Sequence, residues 1–419
     1  MVEPRPAHTG LLIPPAARLF HAGMPKTGTT ALQRTAAGRR DLLLEQGVRY
    51  PGGGMNHRKA MFAFSSRPVS WVGPGSATPD PARWTRLKAE VRAEHDRRVW
   101  LSNENLSDEP EDVLHAIVEA TGGTPFVVLT MRGLPAQLAS AWQQYLKSGV
   151  GTSFGTWLER VIGDTPNPST TPSFAARSAL GEVVDKWVRV VGKDNLVVIV
   201  LDAEDRTLVP RTFERLLGLP EGNLEEDALA GHHSNRSLSA PEAELLRRVN
   251  RVIRERGDVS WVDYERFVRE GFVDALLCRR TPGPDELRVV PPRWAVDAAV
   301  TRAHREIERI ATSGVRVVGT LDDLAAPVPS VDRARSPQTI PVDAAAEALL
   351  AVLSVGLGRG NDFGTSAPDT APRSPEARRA SIEDVPASML AQSLAQRLGR
   401  RLRRQLTSAL PNHGRRRGQ

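Results

Sequence analysis

The chain has 419 residues, 40% of them hydrophobic and 25% charged, and a net charge of +7. That balance is enough to bury a sizeable core and excludes a mainly disordered or collagen-like chain. No stretch approaches the roughly 18 consecutive apolar residues of a membrane-crossing helix. Pro14 and Pro15 cut short the apolar Leu11–Ile13 before a secretory pattern develops, so a cytoplasmic protein is expected. The single cysteine, Cys278, excludes an intramolecular disulfide and argues against cysteine-bound zinc. Residues 331–419 hold 14 Arg against 8 acidic residues, so the first 330 are close to neutral. Nucleic-acid binders carry their basic footprint on the folded body, and no nucleic-acid partner is expected here. Only six of the basic residues are Lys, an arginine bias that reads as genome composition.

In chain order, Arg18–His21 is a strand candidate that runs into a Gly/Thr-rich turn. Thr29–Gln46 then reads as a helix, with Gly47 as its stop. Helical patterns follow at Pro81–Arg97, Pro110–Ala120, Pro135–Lys147, Ser178–Val191, Pro241–Arg256 and Trp294–Ser313. Between them, Arg98–Ser102, Phe126–Met131 and Asn195–Leu201 are nearly unbroken apolar runs, as expected for parallel strands covered on both faces. The alternation predicts an α/β fold with a doubly wound parallel sheet, a P-loop-like three-layer sandwich over residues 15–325. Residues 1–14 read as an N-terminal tail, 326–386 as a linker rich in Pro, Ser, Asp and Arg, and 387–419 as a basic tail. In that tail Leu390, Leu394, Leu398, Leu402, Leu406 and Leu410 recur at four-residue intervals beside arginines. Two readings stay open for it: a helix that meets an anionic membrane face or acidic partner, and an unstructured basic tail.

The most informative stretch is His21–Thr30, HAGMPKTGTT, between strand and helix. Backbone N–H groups at a helix start favour an anion, Gly28 permits its close approach, and Thr29 and Thr30 add hydroxyls. A nucleotide-triphosphate loop needs Lys directly after the second Gly. Here Thr29 stands there and the lysine has moved to position 26. Downstream, Arg132 ends a strand and Ser140 follows on the next helix, whose Leu134, Leu138, Trp142 and Tyr145 form its apolar stripe. Ser140, Gln144 and Lys147 lie on another face.

With these residues in view, Pro25–Thr30 resembles the 5′-phosphosulfate loop of sulfotransferases that use 3′-phosphoadenosine 5′-phosphosulfate (PAPS). The longer match, PKTGTTALQ through Gly47–Pro51, is similar to bacterial and carbohydrate members, and Arg132 with Ser140 resembles the family's 3′-phosphate motif. The resemblance implies that Lys26, Thr27, Gly28, Thr29 and Thr30 hold the phosphosulfate, with Lys26 on the bridging oxygen. It implies that Arg132 and Ser140 hold the 3′-phosphate. Arg236, in His232–Ser237, is a further candidate for that phosphate, beside a local capping role for the segment. No metal is required if Lys26 and the loop amides carry the charge.

Two residues are candidates for the base that deprotonates the acceptor. Glu104 follows the strand RVWLS, where a doubly wound fold opens its crevice. The carbohydrate branch uses a glutamate, which favours Glu104 over a purely helix-capping role. His57 is the second candidate, although its segment does not match the histidine motif of the cytosolic branch. The expected reaction moves a sulfuryl group from PAPS to a hydroxyl, or an amine, of a carbohydrate, lipid or secondary metabolite, leaving 3′,5′-ADP. An ATP-dependent P-loop kinase and a nonenzymatic scaffold with a membrane-binding tail are the alternatives.

Overall fold

A computed structural model of the chain describes residues 10–68, 78–167, 171–225, 236–334 and 336–358. They belong to a unit spanning 1–364, whereas the second unit, 365–419, which includes the leucine series, lies outside the described residues.

Six strands, β1 (Ala17–Gly23), β2 (Val48–Arg49), β3 (Arg98–Ser102), β4 (Thr124–Met131), β5 (Leu196–Val200) and β6 (Arg316–Val318), form one sheet. Their order is β2-β3-β1-β4-β5-β6, and every pair is parallel. The chain leaves β1 toward β2 on one side, and leaves β4 toward β5 on the other. The crevice where a doubly wound sheet binds ligands therefore lies past the carboxyl ends of β1 and β4.

Successive residues of a strand face opposite sides, and both sides are apolar here. Phe20, Ala22, Val99, Leu101, Val127, Leu129 and Val198 pack against Val183, Val184 and Trp187 of helix Leu180–Val191. Leu19, Trp100, Val128, Val197 and Ile199 pack against Leu32 and Ala36 of helix Thr29–Gly38 and against Phe213 of helix Leu208–Leu217. That double burial is why β3, β4 and β5 read as unbroken apolar runs. The expected 29–46 helix is two helices, Thr29–Gly38 and Arg40–Glu45, broken at Arg39. The Arg39 guanidinium donates to the Asn223 carbonyl at 2.7 Å, a long-range contact that no local pattern announces.

A second, helical core sits beside the sheet. It joins helices Leu134–Leu146, Phe154–Ile162, Ala240–Arg256 and Arg293–Thr312 with a helical segment from Trp261 to Arg279. Within that segment Tyr264–Val273 is π-helical, an arrangement frequent at functional sites. The stretch expected as linker from 326 needs correction. Val342–Gly356 is a helix, and its Ala344 and Ala348 belong to this second core. Alanines at four-residue spacing let the helix lie close to 264–273, where Gly271 faces Val355. The Pro- and Asp-containing flanks hide the pattern. Among the described residues no helix is long and apolar enough to cross a membrane.

If 331–358 belongs to the folded body, a chain ending at 330 will lose about 3 kcal/mol of unfolding free energy relative to one ending at 358. Urea denaturation of the two would read the difference, and equal midpoints would contradict the packing.

Candidate active site

The site begins at the end of β1. Gly23 has φ 127°, and a Cβ there would stand 2.4 Å from the Thr130 carbonyl oxygen. Only glycine lets β1 tuck this closely against β4, and the Met24 N–H donates to that same carbonyl at 2.9 Å. The turn then takes left-handed conformations at Lys26 (φ 67°) and Gly28 (φ 77°). For lysine this costs on the order of 1 kcal/mol, and such strain collects at ligand clamps. Alternating left- and right-handed residues point neighbouring amides into one concavity. The helix that follows starts at Thr29 with no side-chain cap and no acidic residue in its first turn, so its positive end faces the crevice.

The turn is braced from both sides. Thr27 Oγ1 donates to the Met24 carbonyl at 2.8 Å and lies 2.9 Å from Thr130 Oγ1. Arg132, one residue past β4, donates to the Lys26 carbonyl at 3.3 Å. The Lys26 side chain is exposed, but the surrounding cleft wall partly desolvates its ammonium and Arg132 repels it, and both lower its pKa. Burial also lowers the pKa of Arg132. The half-buried Ser140 hydroxyl, on the helix that follows Arg132, donates to the Gln137 carbonyl at 3.0 Å.

Below the turn lies a polar network absent from the sequence reading. Parallel register sets His21 opposite Ser102, and its Nδ1 lies 2.8 Å from Ser102 Oγ. Gln33 donates to that same hydroxyl at 2.8 Å, and His21 Nε2 lies 3.4 Å from Thr130 Oγ1. Glu104 stands one turn above, where the Thr29 hydroxyl donates to Oε1 at 2.5 Å. Burial would raise the Glu104 carboxyl, but His21 and the hydrogen bonds from Thr29, its own backbone and Gln33 hold it below its ordinary value. Burial drives the His21 pKa down to about 4 against the pull of Glu104. Near neutral pH the pair is therefore a neutral imidazole and an ionised carboxylate. The loop that carries Glu104 is pinned by Arg177, which donates to Asn105 and Asp108, and by Lys186, 2.8 Å from the Ser107 and Glu109 carbonyls.

The structure therefore brings Lys26, Thr27, Gly28, Thr29, Arg132 and Glu104 around one crevice. It does not do so for two other candidates. His57 is buried with both nitrogens on backbone groups: Nδ1 accepts from the Ser102 N–H at 2.9 Å, and Nε2 donates to the Pro51 carbonyl at 2.9 Å. Burial pushes its pKa down to about 4. Neither nitrogen is open to a substrate proton, which removes His57 from the base candidates. Arg236 is committed to Glu242 at 2.7 and 2.8 Å and to the carbonyls of Leu276 and Arg280. Glu242 in turn closes the capping box of helix 240–256 with Ser239, so Arg236 supports a helix start rather than a phosphate. His232 and His233 lie outside the described residues. Two cavities, of about 800 and 620 Å³, contain no residue of the turn from Gly23 to Thr30.

No protein-family model matches the chain, and no curated protein does. Among solved structures it is similar to a sulfotransferase from Alicyclobacillus acidocaldarius, at 18% identity and a TM-score of 0.35, over 61% of this chain and 100% of that one. At that level of similarity no residue here takes a role from it.

Two histidines with folded pKa values near 4 and an ordinary value of 6.5 fix a pH dependence. The unfolded chain binds more protons between these values, so stability is full above pH 6.5 and falls as pH drops toward 4. The loss is on the order of 3 kcal/mol per histidine. His57→Gln should flatten about half of that slope in denaturant midpoints measured from pH 7 to 4.5, and an unchanged slope would contradict the burial described.

Proposed function

We propose that the protein transfers a sulfuryl group from PAPS to an acceptor hydroxyl. The observation that carries this reading is the Thr29–Glu104 hydrogen bond. It sets an ionised carboxylate directly beside an anion-ready turn that has no lysine in the nucleotide-triphosphate position.

In this reading the amides from Lys26 to Thr30 hold the 5′-phosphate, and Arg132 with Ser140 holds the 3′-phosphate. Arg132 offers a fork of donors suited to phosphate oxygens, and Ser140 can turn its hydroxyl from the Gln137 carbonyl. The acceptor oxygen forms a bond to sulfur as the sulfur–oxygen bond to the 5′-phosphate breaks. The acceptor proton passes to a Glu104 carboxylate oxygen, and the electron pair stays on the departing phosphate oxygen, where the Lys26 ammonium offsets its charge. Thr29 has one hydroxyl proton. Once it is donated to the bound phosphosulfate, Glu104 loses one stabilising hydrogen bond and becomes a stronger base. His21 and Gln33 fix the floor beneath, and His57 seats the loop before β3's end rather than moving a proton. The acceptor class is a small molecule, glycan or lipid headgroup.

Calorimetric titration with 3′,5′-ADP in the absence of magnesium tests the donor site. Lys26→Ala and Arg132→Ala should each weaken binding about tenfold or more, one charge-assisted contact apiece. Preference for ATP with magnesium, or no binding, would overturn the reading. Glu104→Gln should keep nucleotide binding and lower transfer from radiolabelled PAPS by about 10²–10⁴-fold.

A further inference from the structure

Beneath the phosphate turn, buried side chains link the ends of β1, β3 and β4, and counting protons fixes the direction of every contact between them. Thr27 has one hydroxyl proton, and it goes to the Met24 carbonyl at 2.8 Å, which can only accept. Thr130 Oγ1 lies 2.9 Å from Thr27 Oγ1, so the proton in that contact is the one on Thr130. The competing acceptor for it, the Ala22 carbonyl, is farther away at 3.5 Å. Thr130 Oγ1 can then only accept from His21 Nε2, 3.4 Å away. The His21 ring carries a single proton near neutral pH, because burial drives its pKa down to about 4. That proton sits on Nε2 and leaves Nδ1 bare.

The other half of the chain runs in the same direction. Nδ1 accepts from the Ser102 hydroxyl at 2.8 Å, and the Ser102 oxygen accepts from Gln33 Nε2 at 2.8 Å. Asn56 Nδ2 donates to Gln33 Oε1 at 3.3 Å, which decides which end of the Gln33 amide is nitrogen. The opposite His21 tautomer would set a bare Nε2 against a hydroxyl with no proton left to give. Gln33, Ser102, His21, Thr130 and Thr27 are all buried, where such an unmet polar contact is costly. The ring plane is held as well, by Phe213 at 4.9 Å and 70° to it.

We infer that His21 is a positioning residue, held in its Nε2–H form so that one unbroken hydrogen-bond chain, every link pointing the same way, ties Gln33 behind the base to Met24 in the phosphate turn. The inference rests on the sulfuryl-transfer reading for what the turn and the base do. At one end, Ser102 stands two residues before Glu104, and Gln33 lies one helical turn beyond Thr29, which donates to Glu104. At the other end the chain uses up the Thr27 hydroxyl, so Thr27 meets the 5′-phosphate through its amide alone. The seat of the donor and the seat of the base are thereby set by one histidine between them.

Long-range ¹H–¹⁵N spectra of the full chain at neutral pH read the tautomer directly, the His21 signals being those lost in His21→Asn. A protonated Nε2 with a bare Nδ1 is expected, and a protonated Nδ1 would overturn the inference. Calorimetry with 3′,5′-ADP reads the consequence for the turn. Thr130→Val keeps the shape and removes the hydroxyl, whereas Thr130→Ser keeps the hydroxyl and removes a methyl group. The valine variant should bind 3′,5′-ADP about fivefold or more weakly, the worth of one hydrogen bond, and the serine variant within about twofold of the wild type. Undiminished binding by the valine variant, or an equal loss in both, would overturn the positioning role, because packing alone favours valine over serine. The spectra need no change at position 130, so they decide the tautomer even where Thr130→Val fails to fold. Failure of 3′,5′-ADP to bind the wild type would strike the donor reading itself and leave the tautomer measurement standing.

Discussion

The crevice depends on how β1 ends between its two neighbours. Parallel register with β3 puts His21 opposite Ser102, and register with β4 brings Gly23 against Thr130. Because Gly23 has no side chain, the strand stays in contact with β4 until the chain turns, and the left-handed Lys26 and Gly28 then swing the amides outward. Shift that register by one residue and the polar side chains at the strand ends exchange faces with the apolar ones. The network beneath the turn would be lost together with the contact between Phe213 and the His21 ring, 4.9 Å apart.

Electrostatics at the site follow from burial as much as from charge. A fully buried imidazole stays neutral because the pull of Glu104 does not repay the desolvation of its cation, whereas His21 and the hydrogen bonds from Thr29, its own backbone and Gln33 hold Glu104 ionised against its burial. The same balance weakens the ammonium groups of Lys26 and Lys147. The proposed reaction uses that cationic surplus on the donor side, through the turn and Arg132.

Some of this was legible in the residue order and some was not. The turn, its flanking strand and helix, Arg132 and Glu104 each carry a local signal, and the sheet's three central apolar runs announce their own burial. β2 and β6 are two and three residues long, too short for periodicity to register. His57 looks chemically capable in isolation. Its retirement comes from Pro51 and Ser102, the latter 45 positions away. Arg236 likewise precedes a helix, as a phosphate ligand could, but its partners Glu242, Leu276 and Arg280 are gathered by the helical core. His21 was missed for the converse reason. Its surroundings exist only after β1 and β3 pair, although a histidine inside an apolar strand was a signal that polar partners had to be supplied.

The most direct test of the account is a crystal structure with 3′,5′-ADP bound. The account predicts the 5′-phosphate on the amides between Lys26 and Thr30, with Thr29 Oγ1 turned toward it. It predicts the 3′-phosphate between Arg132 and Ser140, and Glu104 facing the open side where an acceptor would enter. A nucleotide bound elsewhere, or with its 3′-phosphate in the turn, would contradict it.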